Sequence, residues 1–111
     1  MRGQYTNSKD ILELSKPTGQ KFDSEKLRWD LIPMECVEDV VKILTFGAKK
    51  YAPNNWQIVD NAKERYWAAM MRHLVAHRKG ELVDSESGEP HLSHAACCLV
   101  FLMWLEKQKN E

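Results

Sequence analysis

The sequence lacks the marks of several common protein classes. Its three cysteines include no Cys-x-x-Cys pair, which argues against a disulfide framework or a structural zinc site and favours core thiols in a reducing cytoplasm. Basic and acidic residues number 16 each, so no net charge attracts nucleic acid or an anionic membrane. The first residues contain no apolar run typical of a signal peptide. We therefore expect a cytoplasmic protein that binds neither a nucleic acid polymer nor a membrane.

Familiar catalytic motifs are missing as well. There is no Gly-x-x-x-x-Gly-Lys-Ser/Thr phosphate loop, no Gly-x-Ser-x-Gly turn and no His-Asp dipeptide.

The apolar run at residues 95–105 is shorter than the roughly 20 residues that a membrane span needs. Because this run is apolar on every side of a helix, we expect a central buried helix that is partly an oligomer interface.

The spacing of apolar residues predicts three helices and no strand. Pro33 suits the start of the first helix, Gly80 suits the end of the second, and Pro90 suits the start of the third. The predicted bounds are about 33–51, 61–79 and 90–107.

These elements predict one domain preceded by an arm. Residues 1–20 are polar with few apolar anchors, which is typical of a flexible N-terminal arm. Residues 21–111 would form a small all-α bundle. The chain is 43% apolar, but one so short buries only a modest fraction of its surface, so we expect oligomerisation to complete the bundle.

Two carboxylates on the first helix suggest metal chemistry. Glu35 and Glu38 are three residues apart, so they are neighbours on one helix face. One interpretation is a solvated face on which Glu38 pairs with Lys42. The other is half of a magnesium or manganese site, since covered carboxylates need a counter-charge. Phe46 on the same side indicates that something covers this face.

Histidines provide a second set of candidate ligands. His91 and His94 are also three residues apart, in the first turn of the third helix. Imidazole suits manganese, iron, cobalt or zinc better than magnesium. The alternative is that both are the hydrogen-bonded polar end of a buried helix. On the second helix, Arg72 or His73 could face a phosphate, because guanidinium groups bind phosphate through two hydrogen bonds.

The end of the first helix is suited to a nucleotide. Lys49 and Lys50 could hold a triphosphate. Tyr51 or Trp56 could stack on a base, and Asn55 could read a base edge. The alternative is a basic last turn that complements the helix dipole, followed by a loop.

An ordered set of short motifs resembles a known family. The motifs occur between about residues 21 and 105, and together they resemble the phage-type MazG-like nucleotide pyrophosphohydrolases, described as dATP/dGTP diphosphohydrolases. In chain order they are Lys26-x-Arg28-x-Asp30-Leu31-Ile32-Pro33, Phe46-Gly47-Ala48-Lys49-Lys50-Tyr51, Asn55-Trp56, Arg72-His73-Leu74, Gly80-Glu81, Asp84-x-Glu86-Ser87-Gly88 and His91-Leu92-x-His94-Ala95.

The resemblance implies an all-α NTP-pyrophosphatase fold that assembles as a homo-oligomer, a dimer or tetramer. It implies hydrolysis of a nucleoside triphosphate, dATP or dGTP, between the α- and β-phosphates, with Mg²⁺ or Mn²⁺ as cofactor. The products would be a monophosphate and pyrophosphate. The family's Glu-x-x-Glu motif corresponds to Glu35 and Glu38, which would bind metal and activate water.

Two sets of residues compete for the family's second metal motif, Glu-x-x-Asp. Glu81 and Asp84 match it literally, but in a predicted loop. His91 and His94 occupy the expected helical place with imidazoles instead. This departure motivates one alternative, a nucleotide-binding regulator without catalysis. A second alternative is a helical interaction module whose polar face is solvated. A phage origin would place the protein in the host cytoplasm.

Overall fold

The computed structural model describes residues 19–108 of the chain. In this range the chain forms three α-helices and two short 3-10 helices, with one isolated bridge between Val83 and Pro90 and no strand. The α-helices are α1 (Met34–Lys50), α2 (Ala62–Arg78) and α3 (His91–Lys107), and the 3-10 helices are Trp29–Leu31 and Asn55–Ile58. The all-α prediction is confirmed. The predicted arm at 1–20 falls almost wholly outside the described residues.

The helix ends follow from local sequence. Pro33 precedes α1, and the basic pair Lys49 and Lys50 forms its last turn, where cations complement the helix dipole. Gly80, with φ of 101°, lies in a region that suits glycine and ends α2. Its N–H donates to the His77 carbonyl, and the next N–H donates to the Ala76 carbonyl, which satisfies two carbonyls at the helix end.

The core lies between α2 and α3, which form the most extensive helix pair. Met70 from α2 packs with Ala95 and Cys98 from α3, and half-buried apolar side chains surround them. Burial raises the pKa of Cys97 to about 12 and that of Cys98 to about 11, so both remain protonated thiols. The prediction that all three cysteines are core residues is wrong for Cys36, which is exposed on α1.

Helix α1 packs on α3 and makes hardly any contact with α2. Ile43 is its only buried residue in the described range. The arrangement leaves a gap between α1 and α2, and this gap holds the candidate site.

Only the first part of α3 is buried within one chain. Ala95, Cys97 and Cys98 are covered, whereas Leu99 and Met103 are about half exposed. About half of the apolar run at residues 95–105 is therefore covered by this chain. That another subunit covers the rest stays a prediction. Among the described residues, no helix is long and apolar enough to cross a membrane.

Candidate active site

A cleft of about 960 Å³ opens between α1 and α2, with α3 beneath it. Its size lies at the upper end of the range of small-molecule sites. Residues predicted to bind substrate or metal contribute much of its lining: Lys50, Tyr51, Asn55, Trp56, Arg72, His73, Asp84 and His94. Lys49, Glu35, Glu38 and His91 do not line it.

Lys50 and Arg72, two of the cationic side chains that line the cleft, differ in their surroundings. Lys50 from α1 forms an ion pair with Glu86 from the 80–90 loop. The hydrogen bond from Lys50 to Glu86 raises the pKa of the ammonium group above its usual value. Arg72 on α2 is exposed, and its guanidinium has no hydrogen bond or ion pair within residues 19–108. Arg72 is therefore available to an anionic ligand.

Of the two residues predicted to stack on a base, Trp56 is held in place by aromatic packing. Trp56 stacks on Phe101, with ring centroids 4.2 Å apart and an interplanar angle of 10°, and meets Trp104 edge-on at 5.1 Å. One face of the indole is thus occupied by the protein. Tyr51 is exposed, with the Lys50 ammonium 5.2 Å from its ring centroid. Tyr51 retains more freedom to meet a base.

The 80–90 loop folds around the Asp84 carboxylate. Ser87 donates to Asp84 Oδ2 from both its backbone N–H and its hydroxyl, each at 2.9 Å. Partial burial opposes ionisation of this carboxyl group, but the hydrogen bonds from Ser87 outweigh it, so the pKa of Asp84 lies below its ordinary value. Gly88, with φ of 78°, lets the chain turn back toward α3.

Ser87 also connects Asp84 to His94. Its Oγ lies 2.6 Å from His94 Nε2. Because the single hydroxyl proton is donated to Asp84, Nε2 of His94 must carry the proton that it donates to Ser87. Burial lowers the pKa of His94 below its usual value and outweighs the attraction of Asp84. His94 is therefore neutral at neutral pH, and its other ring nitrogen keeps a lone pair.

His73 lies between the two histidines of α3. Its ring stacks on His94, with centroids 4.5 Å apart and an angle of 8°, and its Nδ1 lies 2.8 Å from His91 Nδ1. Burial, and then the proximity of His94 and His91, lower the pKa of His73. We call His73, His91 and His94, together with Asp84 and Ser87, the histidine cluster. Positive charge is further disfavoured here because the cluster adjoins the first turn of α3.

The loop brings both candidates for the second metal motif to the same place. Glu81 Oε2 lies 3.8 Å from His91 Nε2, and Asp84 Oδ2 lies 3.7 Å from His94 Nε2. The sequence presented these pairs as competitors. In the structure each carboxylate faces one imidazole, so both pairs adjoin one region of the fold.

Glu35 and Glu38 lie apart from this region. Both are exposed on the first turns of α1, and neither side chain has a hydrogen bond or ion pair to any residue from 19 to 108. Lys42 does not pair with Glu38, because its nearest carboxylate is Asp39, three residues back, at 3.9 Å. The two glutamates are free to bind a ligand, but in a single chain they do not converge with the histidine cluster.

Sequence reasoning missed several participants. Ser87 was identified only as part of a family motif, although an aspartate followed three residues later by serine is a common turn pattern that would have suggested its bond to Asp84. Glu86 carried no comparable signal, because its partner Lys50 is 36 residues away in the chain. Arg65 also lines the cleft, although no motif in the sequence pointed to it.

Comparison with known proteins agrees with the motifs. Residues 16–111 match the family described as dATP/dGTP diphosphohydrolase, N-terminal. A dATP/dGTP diphosphohydrolase of Salmonella phage PMBT28 is 39% identical over 88 residues, which is 79% of this chain and 30% of that protein. The chain thus spans about a third of its relative's length. No solved structure matches the chain. With nearly the whole chain matched, the protein belongs to the dATP/dGTP diphosphohydrolase family.

Proposed function

We propose that the chain hydrolyses purine deoxynucleoside triphosphates, dATP or dGTP, to the monophosphate and pyrophosphate. The observation that carries the proposal is the cleft, where cationic, aromatic and metal-ligating side chains line one space of about 960 Å³. The name of the Salmonella phage relative supports the substrate class. That relative also motivates the proposal that the protein acts in the cytoplasm of a phage-infected cell.

The triphosphate tail would bind between α1 and α2. Arg72 offers a guanidinium that is free of ion pairs in the described range, and such groups bind phosphate through paired hydrogen bonds. Lys50 would have to exchange Glu86 for a phosphate. Lys49, one residue earlier and exposed, would contribute only at longer range.

The base would bind at the loop that follows α1. Tyr51 is exposed beside the cleft and would stack on the purine ring. Asn55 would read polar atoms on the base edge, since its amide both donates and accepts hydrogen bonds. Trp56 would hold this wall in place through Phe101 and Trp104. His73 would approach the phosphates from α2.

A divalent cation, Mg²⁺ or Mn²⁺, would neutralise phosphate charge and make a bound water more acidic. Asp84, His91 and His94 would hold such a cation with one carboxylate and two imidazoles: potential ligand atoms of Asp84 and His91 lie within 4.8 Å of each other, and His94 Nε2 lies 3.7 Å from Asp84 Oδ2. Glu35 and Glu38 would complete its shell, and one of them would accept the proton of the attacking water.

A homo-oligomer, a dimer or tetramer, would explain how Glu35 and Glu38 become covered. Large apolar side chains near these glutamates are exposed in the single chain: Leu31 (70%), Ile32 (44%), Met34 (59%) and Val41 (49%). A patch of this kind suits a contact between subunits. A second copy seated there would enclose the glutamates and place them against a bound triphosphate.

The test is turnover of dATP and dGTP with Mg²⁺ or Mn²⁺, followed by pyrophosphate release. Arg72→Ala should raise KM at least tenfold. The matched control is Arg78→Ala, on the same helix but off the cleft, which should leave KM unchanged. Equal effects of the two variants would remove the cleft from substrate binding.

The same measurements separate the alternatives. Metal-dependent nucleotide binding without turnover would identify a regulator. Neither binding nor turnover, with any nucleotide and either metal, would leave a helical interaction module.

A further inference from the structure

Three metal-ligating side chains converge beside the cleft from three different elements. His73 comes from α2, Asp84 from the 80–90 loop and His91 from the start of α3, and one potential ligand atom of each lies within 4.8 Å of the others. Ligands that share an ion at about 2.0–2.2 Å lie at most about 4.4 Å apart, so small side-chain rotations would bring all three onto one ion. Neither Glu35 nor Glu38 belongs to this group of ligands.

We propose that His73, Asp84 and His91 form a site for a borderline transition-metal cation of the zinc or cobalt class. The inference narrows the proposed function at the same site, with His73 in place of His94 as a ligand and a zinc- or cobalt-class ion in place of Mg²⁺ or Mn²⁺, and it rests on that function only for the role of the ion. It differs from the sequence prediction in making His73 a ligand and in leaving Glu35 and Glu38 outside this site.

The surroundings of His91 support the site. The residue is only 6% exposed, and its Nε2 has no hydrogen-bond partner within residues 19–108. A buried polar atom without a partner costs free energy, so its isolation needs a reason. If an ion is held between the Nδ1 atoms of His91 and His73, Nε2 of His91 carries the proton. The Glu81 carboxylate then lies 3.8 Å from this N–H group's nitrogen, and metal-bound histidines commonly donate their second N–H to a carboxylate.

Neighbouring groups hold the other two ligands in position. The His73 ring is stacked on His94, which fixes its plane. Asp84 accepts two hydrogen bonds from Ser87, and Ser87 in turn accepts from His94. Such outer contacts orient metal ligands and raise affinity. The positive end of the α3 helix dipole, at its first turn, disfavours a bound cation. The negative charges of Asp84 and Glu81 offset this effect.

The donor set decides the class of ion. Two imidazole nitrogens and one carboxylate oxygen suit zinc, cobalt or nickel, whereas magnesium and calcium prefer oxygen ligands. His73 and Asp84 also line the cleft, so remaining coordination positions would face a bound ligand. This is the arrangement of an open site rather than of a closed structural one.

Titration of the full chain with CoCl₂, without nucleotide, tests the site through the visible absorption of bound Co²⁺. We expect one equivalent per chain with perturbed absorption bands. His73→Asn should weaken the affinity at least tenfold. His77→Asn, which changes a histidine one turn along α2 and outside the cluster, should leave the affinity unchanged. Equal affinity of His73→Asn and the unsubstituted chain would overturn the proposal.

A measurement on the unsubstituted chain covers the case in which His73→Asn fails to fold. In ¹⁵N-histidine spectra, a small amount of Co²⁺ should broaden the imidazole signals of His73 and His91 more strongly than that of His77. Equal broadening of all histidines, or none, would contradict the site. Because neither readout needs turnover, cobalt binding with no hydrolysis would refute the proposed function alone, and hydrolysis without histidine-bound cobalt would refute this site alone.

Discussion

The histidine cluster and the acidic start of α1 are built in opposite ways. In the cluster, each side chain has its orientation set by another: His73 by His94, His94 by Ser87, and Ser87 by Asp84. At the start of α1, Glu35 and Glu38 are exposed and contact no other charged group in the described residues. One region is preorganised within a single chain, whereas the other is exposed in the single chain. Under the proposed function, a second copy of the chain would cover the two glutamates.

The largest expected effect falls on the exposed half. Glu38→Gln should lower kcat by about 10²–10⁴-fold while the circular dichroism spectrum stays unchanged, because the amide can neither hold a cation nor accept a proton. Glu64→Gln, an exposed glutamate on α2 away from the cleft, is the matched control. A near-normal rate for Glu38→Gln would remove this residue from the mechanism.

Two methionine substitutions compare how much burial contributes to stability in the two regions. Met70→Ala should lower the free energy of unfolding by about 2–5 kcal/mol, since it empties space between α2 and α3. Met34→Ala should have little effect at low protein concentration, because the side chain is 59% exposed. Urea unfolding measures both. If a second copy covers α1, the effect of Met34→Ala should grow with protein concentration, and similar losses for both variants in dilute solution would contradict the comparison.

The 80–90 loop should respond to loss of its carboxylate. Asp84→Ala leaves the Ser87 N–H and hydroxyl without their acceptor, and we expect a loss of about 1–3 kcal/mol in unfolding free energy. Asp39→Ala removes a partly exposed carboxylate whose contact with Lys42 is long, so about 0–1 kcal/mol should be lost. If the two variants unfold alike, the loop does not depend on Asp84.

The smallest expected effect is on pH dependence. The pKa values of His73 and His94 lie below 6.5 in the folded chain, so the unfolded chain binds more protons in that range. Stability should therefore fall as pH drops below about 6.5 and change little above it. Thermal unfolding between pH 5.5 and 7.5 measures the slope. His73→Asn should flatten it, and an unchanged slope would show that His73 is not held neutral by folding.

Helix positions were predictable because they depend on local signals. Apolar spacing, Pro33 and Gly80 lie within a few residues of the elements that they bound, and the bounds agree with the structure to within about a turn. The buried place of Cys97 and Cys98 followed from the same local run. Cys36 was misjudged because its exposure depends on whether a neighbour covers α1.

The geometry of the site was harder to predict from the sequence. Spacing alone presented Glu81 with Asp84 and His91 with His94 as rival pairs, because no local rule shows that the loop folds back to join them. The stacking of His73 on His94 is likewise set by the packing of α2 on α3. The motifs identified the family and about half of the residues that line the cleft, while the convergence of His73 with Asp84 and His91 required the fold.

The reaction products test the central claim most directly. Incubation of dATP and dGTP with the protein and Mn²⁺ or Mg²⁺, followed by ³¹P NMR, distinguishes the three bonds that water could break. The account predicts a deoxynucleoside monophosphate and pyrophosphate in equal amounts. A diphosphate with free phosphate, a nucleoside with triphosphate, or unchanged substrate would contradict it.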